Sequence, residues 1–124
     1  MKHTLVIAML VSSAWAYAAS LDVLVYPYND GGNFKVELFE RGAATPTKVA
    51  NIFTTNYFLF TWRDIPEKYG PWWFQKRAYF VRLTKAGKSN QTKAFVFDSS
   101  SAKIDLRWNH PNLQPSWWNL SFVE

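Results

Sequence analysis

The stretch FKVELFE, from Phe34 to Glu40, alternates apolar with charged residues over its first five positions. An alternation with a period of two indicates a β-strand that buries one face. The turn-forming run NDGG, from Asn29 to Gly32, precedes it. Residues 21–28 are therefore expected to pair with this strand as a β-hairpin. The strand places Phe34, Val36 and Leu38 on the buried face and Lys35 and Glu37 on the other.

Short runs of aromatic and β-branched residues recur along the chain, and no stretch has the period of an amphipathic helix. The turn at residues 85–88 predicts a second hairpin, and residues 64–76 and 109–116 are expected to be irregular. About seven to eight strands without helices predict an all-β, antiparallel immunoglobulin-like or prealbumin-like sandwich, with a small barrel as the alternative. The predicted strands are residues 21–28, 34–40, 48–53, 56–63, 77–84, 93–98, 103–108 and 117–123.

The N-terminal residues have the pattern of a secretory signal. A basic start precedes an apolar run, Leu5 to Val11, that is too short to span a bilayer. Two A-x-A patterns end at Ala16 and Ala18, and cleavage after Ala18 is favoured because it places small side chains at both recognition positions. A short membrane anchor or a first core strand is the alternative interpretation of this run. The prediction is a signal peptide at residues 1–18 and a single secreted domain at residues 19–124.

The charge of the chain is mildly basic. Removal of Lys2 with the signal peptide lowers the formal net charge from +5 to +4. The densest basic group, Lys85, Lys88 and Lys93, surrounds a predicted turn, where lysines protect strand edges. Scattered charge is typical of a solvated surface and argues against a nucleic-acid partner. No segment after the signal is apolar enough to span a membrane, so no integral membrane segment is expected.

Few residues could carry catalysis. The chain has no cysteine, which excludes disulfides, thiolate metal sites and a cysteine nucleophile. His110 is the one histidine after the signal, so a histidine metal cluster is excluded as well. Two carboxylate pairs, Asp64 with Glu67 and Asp98 with Asp105, could serve a glycoside hydrolase, but turn formation and solvation explain all four. The sequence therefore predicts a protein that is not an enzyme and needs no cofactor or metal.

Aromatic residues are the most distinctive feature of the composition, with 10 Phe, 6 Tyr and 7 Trp. A cluster runs from Tyr69 through Trp72 and Trp73, in a segment that also contains Gly and Pro, and Trp117 and Trp118 form a second pair. Exposed indoles stack on sugar rings or anchor protein interfaces. Adjacent tryptophans of a strand point to opposite faces, so one of the second pair is expected in the core. The alternative role of Trp72 and Trp73 is to cap the end of the sandwich.

Two N-glycosylation acceptor patterns are present. Asn90 begins NQT in a predicted loop, and Asn119 begins NLS in a predicted strand. Both are candidate glycosylation sites, and Asn90 is the more accessible of the two on this prediction.

Five segments resemble the immunoglobulin-like domain near the start of fungal cell-wall glucan synthesis proteins of the KRE and KNH type. They are FKVELFE (34–40), KVANIF (48–53), YFLFTWRDIP (57–66), AYFVRLTKAG (78–87) and KAFVFD (93–98). The family's aromatic-x-Trp element corresponds to Phe60, Thr61 and Trp62, and its Y-x-V-R-L strand to residues 79–83. The resemblance implies an extracellular sandwich associated with wall glycans, and it implies no catalytic residue.

Together these features predict a secreted, extracellular, non-catalytic β-sandwich module that binds a cell-wall polysaccharide or glycoprotein. The predicted ligand-binding residues are Tyr69, Trp72, Trp73, Trp117 and Trp118. A small secreted effector or protein-interaction domain is the first alternative, and a glycoside hydrolase that uses acidic residues is the second.

The signal-peptide assignment makes a direct prediction about the exported protein. N-terminal sequencing of protein recovered from the medium is expected to begin at Ala19, because signal peptidase requires small side chains at both recognition positions. Retention of residues 5–11 in the exported chain would contradict the assignment.

Overall fold

The computed structural model describes residues 18–69 and 72–124, and for residues 72–74 the backbone alone. The predicted signal peptide lies outside the described residues, except for Ala18, which begins the first strand. No described segment is a helix long and apolar enough to cross a membrane. The strands of the described chain are β1 (Ala18–Tyr26), β2 (Gly32–Glu40), β3 (Lys48–Thr54), β4 (Phe58–Pro66), β5 (Lys68–Tyr69), β6 (Trp72–Lys76), β7 (Tyr79–Lys85), β8 (Lys88–Gln91), β9 (Phe95–Phe97), β10 (Ser101–Arg107), β11 (Ser116–Trp118) and β12 (Leu120–Phe122).

The strands form two packed sheets, so the predicted all-β sandwich is confirmed. Sheet A has the order β11-β10-β1-β4, and sheet B has the order β12-β9-β7-β2-β3, with β8 also paired to β7. Strands β5 and β6 form a separate two-stranded unit. The strands outnumber those predicted because β5, β6 and β8 are short and because Asn119, at a positive φ of 58°, divides the C-terminal strand in two.

A single apolar layer lies between the sheets. In β1 the residues Leu21, Val23 and Val25 are fully buried, and the intervening residues are half-buried. The facing residues of β2 are Phe34, Val36 and Leu38, as the alternation of FKVELFE predicts. Their removal from water supplies the main stabilisation of the sandwich. The rest of the layer comes chiefly from Ile52, Trp62, Ile65, Tyr79, Val81, Leu83, Phe95, Phe97, Ile104 and Leu106.

The predicted hairpin between residues 21–28 and 34–40 is wrong. Strand β1 lies in sheet A, where it pairs antiparallel with β4 and parallel with β10, whereas β2 lies in sheet B. Residues 27–31 carry the chain from one sheet to the other, with Tyr28 and Asn29 at positive φ. Both strands alternate because both face the same apolar layer, and the alternation alone does not show which strands are partners.

Asp30 joins the two sheets at this crossing. Its carboxylate accepts one hydrogen bond from Lys85 Nζ of sheet B at 2.8 Å and another from Trp108 Nε1, just after β10 of sheet A, at 2.7 Å. The Lys85 contact is also an ion pair. These two bonds link the end of β7 to the residue after β10 at one end of the sandwich, which we call the crossing end.

The turn of the second predicted hairpin is confirmed, but it leads directly into β8, and the predicted partner, residues 93–98, pairs with β7 only between Tyr79 and Phe95. Ala86 and Gly87 both have positive φ, as a tight two-residue hairpin turn requires, and β8 pairs with β7 beyond it. Thr92, directly after β8, is buried and interrupts the regular pairing of this segment with β7. Its Oγ1 accepts a hydrogen bond from Val81 N at 3.0 Å, and its own N–H donates to Val81 O. The hydroxyl thus replaces a ladder bond that the irregularity removes.

The expectation that residues 64–76 are irregular is wrong. Strand β4 continues to Pro66, and β5 and β6 are antiparallel partners. Tertiary contacts hold this hairpin: Tyr79 donates its hydroxyl hydrogen to the Pro66 carbonyl, and Glu40 accepts from both Tyr69 and Arg77. These contacts come from β2 and β7, so local sequence does not predict them. We call this the hairpin end of the sandwich, opposite the crossing end. In the other predicted irregular segment, residues 109–116, only Ser116 lies in a strand, at the start of β11.

Strand β4 is the free edge of sheet A. Of the three aromatic residues predicted to be core, Trp62 is buried, Phe60 is half-buried and Phe58 is exposed. Burial therefore falls along the edge strand toward the crossing end, although all three side chains point to the same face.

The Asp30 contacts give a pH-dependent prediction. The hydrogen bond from Lys85, followed by that from Trp108, holds the pKa of the Asp30 carboxyl below its ordinary value of 3.8. A carboxyl whose pKa is depressed by folding stabilises the folded state above its unfolded pKa, and this stabilisation is lost as the pH falls through the folded pKa. Asp30→Asn is therefore expected to lower the urea midpoint at neutral pH and to leave it nearly unchanged once the pH has fallen below the folded pKa of Asp30. Tryptophan fluorescence measures both midpoints.

The effect is modest, because the Asp30 side chain is half exposed and water screens its charge. Asp64→Asn is the matched control, since Asp64 is an exposed carboxylate at positive φ, where asparagine is well tolerated. An equal midpoint shift in the two variants at neutral pH would contradict a specific role for Asp30.

Candidate ligand-binding surface

Trp117 and Trp118 lie on β11, the edge strand of sheet A next to β10. Both are exposed, Trp117 at 48% and Trp118 at 66%, so the expectation that one of them is in the core is wrong. Trp117 points to the side of the apolar layer, opposite Ile104, but β11 lies at its margin. There its ring packs edge-on against Phe122 of sheet B, with 4.8 Å between the ring centroids. Trp117 thus closes one side of the sandwich.

Trp118 points away from the apolar layer, onto the outer face of sheet A. In the strand register Trp118 lies opposite Lys103 of β10. Lys103 is aligned with Asp22 of β1, and Asp22 lies opposite Thr61 of β4. Thr61 Oγ1 donates a hydrogen bond to Asp22 Oδ1 at 2.6 Å. We call these four residues the Trp118 row. The row combines a wide exposed ring with an ammonium, a carboxylate and a hydroxyl on four paired strands.

Aromatic residues also occupy the opposite, crossing end of this outer face. Tyr26 of β1 is aligned with Arg107 of β10, and its ring centroid lies 6.3 Å from that of the exposed Tyr57. The Arg107 guanidinium carbon lies 5.7 Å from the Tyr26 ring centroid and 5.9 Å from that of Tyr28. A cleft of about 310 Å³ opens here. We call it the tyrosine cleft; it is lined by Tyr26, Tyr28, Asn29, Thr55, Asn56 and Arg107.

Tyr69, from the first predicted cluster, lies at the hairpin end. Its hydroxyl donates to Glu40 Oε2, and the Arg77 guanidinium carbon lies 4.4 Å from its ring centroid. The bond to Glu40, with a smaller contribution from desolvation, raises the pKa of Tyr69 above its ordinary value. Tyr69 thus anchors β5 to β2 while part of its ring stays exposed. The side chains of Trp72 and Trp73 lie outside the described residues.

The two carboxylate pairs do not form a shared site. Asp98 follows β9 of sheet B, where it accepts from Ser121 Oγ at 2.6 Å, whereas Asp105 lies on the outer face of sheet A. Asp64 is exposed at a β-bulge at the end of β4, and Glu67 follows this strand. Within the described chain, no group of His, Asp and Glu side chains is arranged to hold a metal ion.

Both candidate glycosylation residues use their side-chain nitrogen in tertiary contacts. Asn90 Nδ2 donates to the His110 carbonyl at 3.1 Å, which ties β8 to the segment after β10. Asn119 Nδ2 donates to the Ser101 carbonyl at 3.0 Å. His110 itself is half-buried in this segment.

The tyrosine cleft was missed by sequence reasoning. Its residues come from positions 26–29, 55–56 and 107, which are brought together by the parallel pairing of β1 with β10 and the β3–β4 connection. The one local signal was the outward position of Arg107 in the alternating stretch 103–108, which also contains Lys103 and Asp105 on the same side. That signal does not distinguish a ligand-binding arginine from a solvated one.

Comparison with known proteins found no matching family model, no matching curated protein and no matching solved structure. The arrangement of the residues themselves is therefore the evidence for function.

The difference between an exposed and a buried indole can be measured as a difference in the free energy of unfolding. Trp118→Ala is expected to change the free energy of unfolding by no more than about 0.5 kcal/mol, as is usual for a surface side chain. Trp108→Ala is expected to cost about 3–5 kcal/mol. Trp108 is only 9% exposed, packs edge-on against Phe34 and donates to Asp30. Equal destabilisation of the two variants in urea unfolding would mean that Trp118 is a structural residue.

Proposed function

We propose that this chain is a secreted, non-catalytic carbohydrate-binding domain and that the outer face of sheet A is its binding surface. The observation that carries the proposal is the placement of Trp118, a two-thirds exposed indole held on a rigid strand in register with Lys103, Asp22 and Thr61. A monomeric domain gains nothing in stability from an aromatic ring left in water, and such rings mark interaction sites.

The chemistry of the row fits a saccharide. A flat indole covers the C–H face of a sugar ring, while adjacent charged and hydroxyl groups exchange hydrogen bonds with its hydroxyls. Strands hold these groups more firmly than loops do, so little conformational entropy is lost on binding. The resemblance to wall glucan synthesis proteins supports a cell-wall polysaccharide, or the glycan of a wall glycoprotein, as the ligand.

A different observation favours a second candidate function, a protein-interaction domain. Several large apolar side chains are exposed on β3, on β4 and in the connection between them, where the free edges of the two sheets lie side by side. Exposed apolar surface at a free strand edge is a frequent site of protein association. A glycan array without a single hit would favour this function. The side chains are Val49, Phe53, Tyr57, Phe58 and Leu59.

The carbohydrate proposal predicts that Trp118→Ala releases the protein from insoluble wall polysaccharides. In co-sedimentation with cellulose, chitin and β-1,3-glucan, the wild type is expected to bind at least one of them, and the variant about tenfold more weakly, which corresponds to about 1.4 kcal/mol. Phe53→Ala is the matched control, since Phe53 is a comparably exposed aromatic residue, at 62%, on the outer face of sheet B. Equal loss of binding in both variants would contradict the placement of the site on sheet A.

The tryptophans of the hairpin are tested in the same assay. If Trp72 and Trp73 extend the binding surface, their replacement by Ala abolishes co-sedimentation while the far-ultraviolet spectrum stays unchanged. A double variant that unfolds would place these rings in the core and leave Trp118 as the main contact.

A further inference from the structure

We infer that the tyrosine cleft binds a sugar that bears a carboxylate, so that the outer face of sheet A prefers an acidic saccharide to a neutral one. The inference rests on the proposed carbohydrate-binding function and specifies the class of ligand. Arg107 is the specificity-determining residue, and the tyrosines around it are the stacking surface.

Arg107 is a cation without an anionic partner in the described chain. The ion pairs of the described residues involve Lys35, Lys76, Arg77 and Lys85 as cations, and none involves Arg107. Its Nη1 donates to the Tyr28 hydroxyl at 3.1 Å, and its Nε is buried without a hydrogen-bond partner among the described residues. A guanidinium has several N–H donors in one plane. The buried Nε is out of a ligand's reach, so the donors open to a ligand are those of Nη2 and the second hydrogen of Nη1.

The surroundings hold this guanidinium in place. The rings of Tyr26 and Tyr28 lie within cation–π distance of its central carbon. Asn109 Nδ2 donates to the Tyr28 carbonyl at 3.1 Å, and the neighbouring Asp30 is fixed by Lys85 and Trp108. The carboxylate of Asp30 is thus already paired with its own cation. A carboxylate that enters the cleft therefore meets the positioned Arg107 and is not repelled by an unpaired Asp30.

The lining of the cleft explains why the ligand is a sugar and not a simple anion. An inorganic anion would bind the arginine and leave the exposed ring of Tyr28 uncovered. A pyranose ring uses the rings for stacking, while Asn29, Thr55 and Asn56 supply amides and a hydroxyl for its hydroxyl groups. The planar arginine fork fits the one charged group of such a sugar, because guanidinium and carboxylate form parallel hydrogen bonds.

The cleft and the Trp118 row belong to one surface. Arg107 follows Lys103 by four residues on β10, and both side chains point to the outer face. At a rise of about 3.3 Å per residue, their positions are separated by about 13 Å. A single oligosaccharide that crosses sheet A can therefore contact Trp118 with one unit and Arg107 with another.

The test is calorimetric titration with four probes: oligogalacturonate, its methyl ester, a neutral oligosaccharide of glucose, and sialyllactose. The wild type is expected to bind oligogalacturonate at least about tenfold more tightly than the methyl ester or the neutral oligomer. Arg107→Met is expected to remove this preference, and Arg107→Lys to restore only part of it, because lysine keeps the charge but not the planar fork. Binding of sialyllactose in place of oligogalacturonate, with the same dependence on Arg107, supports the inference with a terminal acidic sugar as the source.

Arg82→Met is the matched control. Its guanidinium carbon lies 4.7 Å from the ring centroid of Phe39 on the outer face of sheet B, so it loses an arginine–aromatic contact without touching the cleft. Unchanged melting temperatures show that the variants are folded. Equal binding of the methyl ester and the free acid, or an unchanged preference in Arg107→Met, overturns the inference.

The outcomes separate the inference from the proposed function. Binding of neutral oligomers that depends on Trp118 but not on Arg107 leaves the carbohydrate function intact and refutes the acidic ligand. Binding of the acid that depends on Arg107 but not on Trp118 supports the cleft and refutes the Trp118 row. The absence of binding to every probe refutes both.

Discussion

The packing of two sheets across one apolar layer determines which side chain of every strand faces water. Strand β1 lies between β4 and β10, and its fully buried Leu21, Val23 and Val25 leave no freedom to shift the pairing, because a slip of one residue would turn all three outward. The same register aligns Asp22 with Lys103 and brings Trp118 beside them. The register that buries the core residues therefore also places the side chains of the proposed binding surface on the outer face of sheet A.

The segment that crosses between the sheets also fixes the positions of residues that line the tyrosine cleft. The chain leaves β1 and enters β2 through a segment with two residues at positive φ, and Asp30 fastens this segment to both sheets. Tyr28 and Asn29, which precede Asp30, line the cleft. A recognition site needs side chains whose positions are set by their supports. Here a pair of hydrogen bonds from Lys85 and Trp108 provides that support.

The sequence predicts single strands well and their partners poorly. The alternation in Phe34–Glu40 and the Ala86–Gly87 turn are local, so strand β2 and the turn after β7 could be predicted, whereas β8 was not. The parallel pairing of β1 with β10 joins residues about eighty positions apart, and no local period records it. For the same reason Trp118 was found as a candidate and the tyrosine cleft was not: one is a pair in the sequence, whereas the other is assembled from three distant segments.

The outer faces of the two sheets differ in a way that favours sheet A as the functional face. On sheet B part of the aromatic surface is already used within the chain: Phe39 is buried, stacks on Phe80 with 5.3 Å between the ring centroids and is covered by Arg82, whereas Phe53 is exposed. On sheet A the Asp105 Oδ1 and Arg107 Nε atoms are buried without a partner among the described residues, and Trp118 is uncovered. The uncovered ring of Trp118 and the cation of Arg107, which has no ion-pair partner among the described residues, are therefore the reason for proposing sheet A as the ligand-binding face.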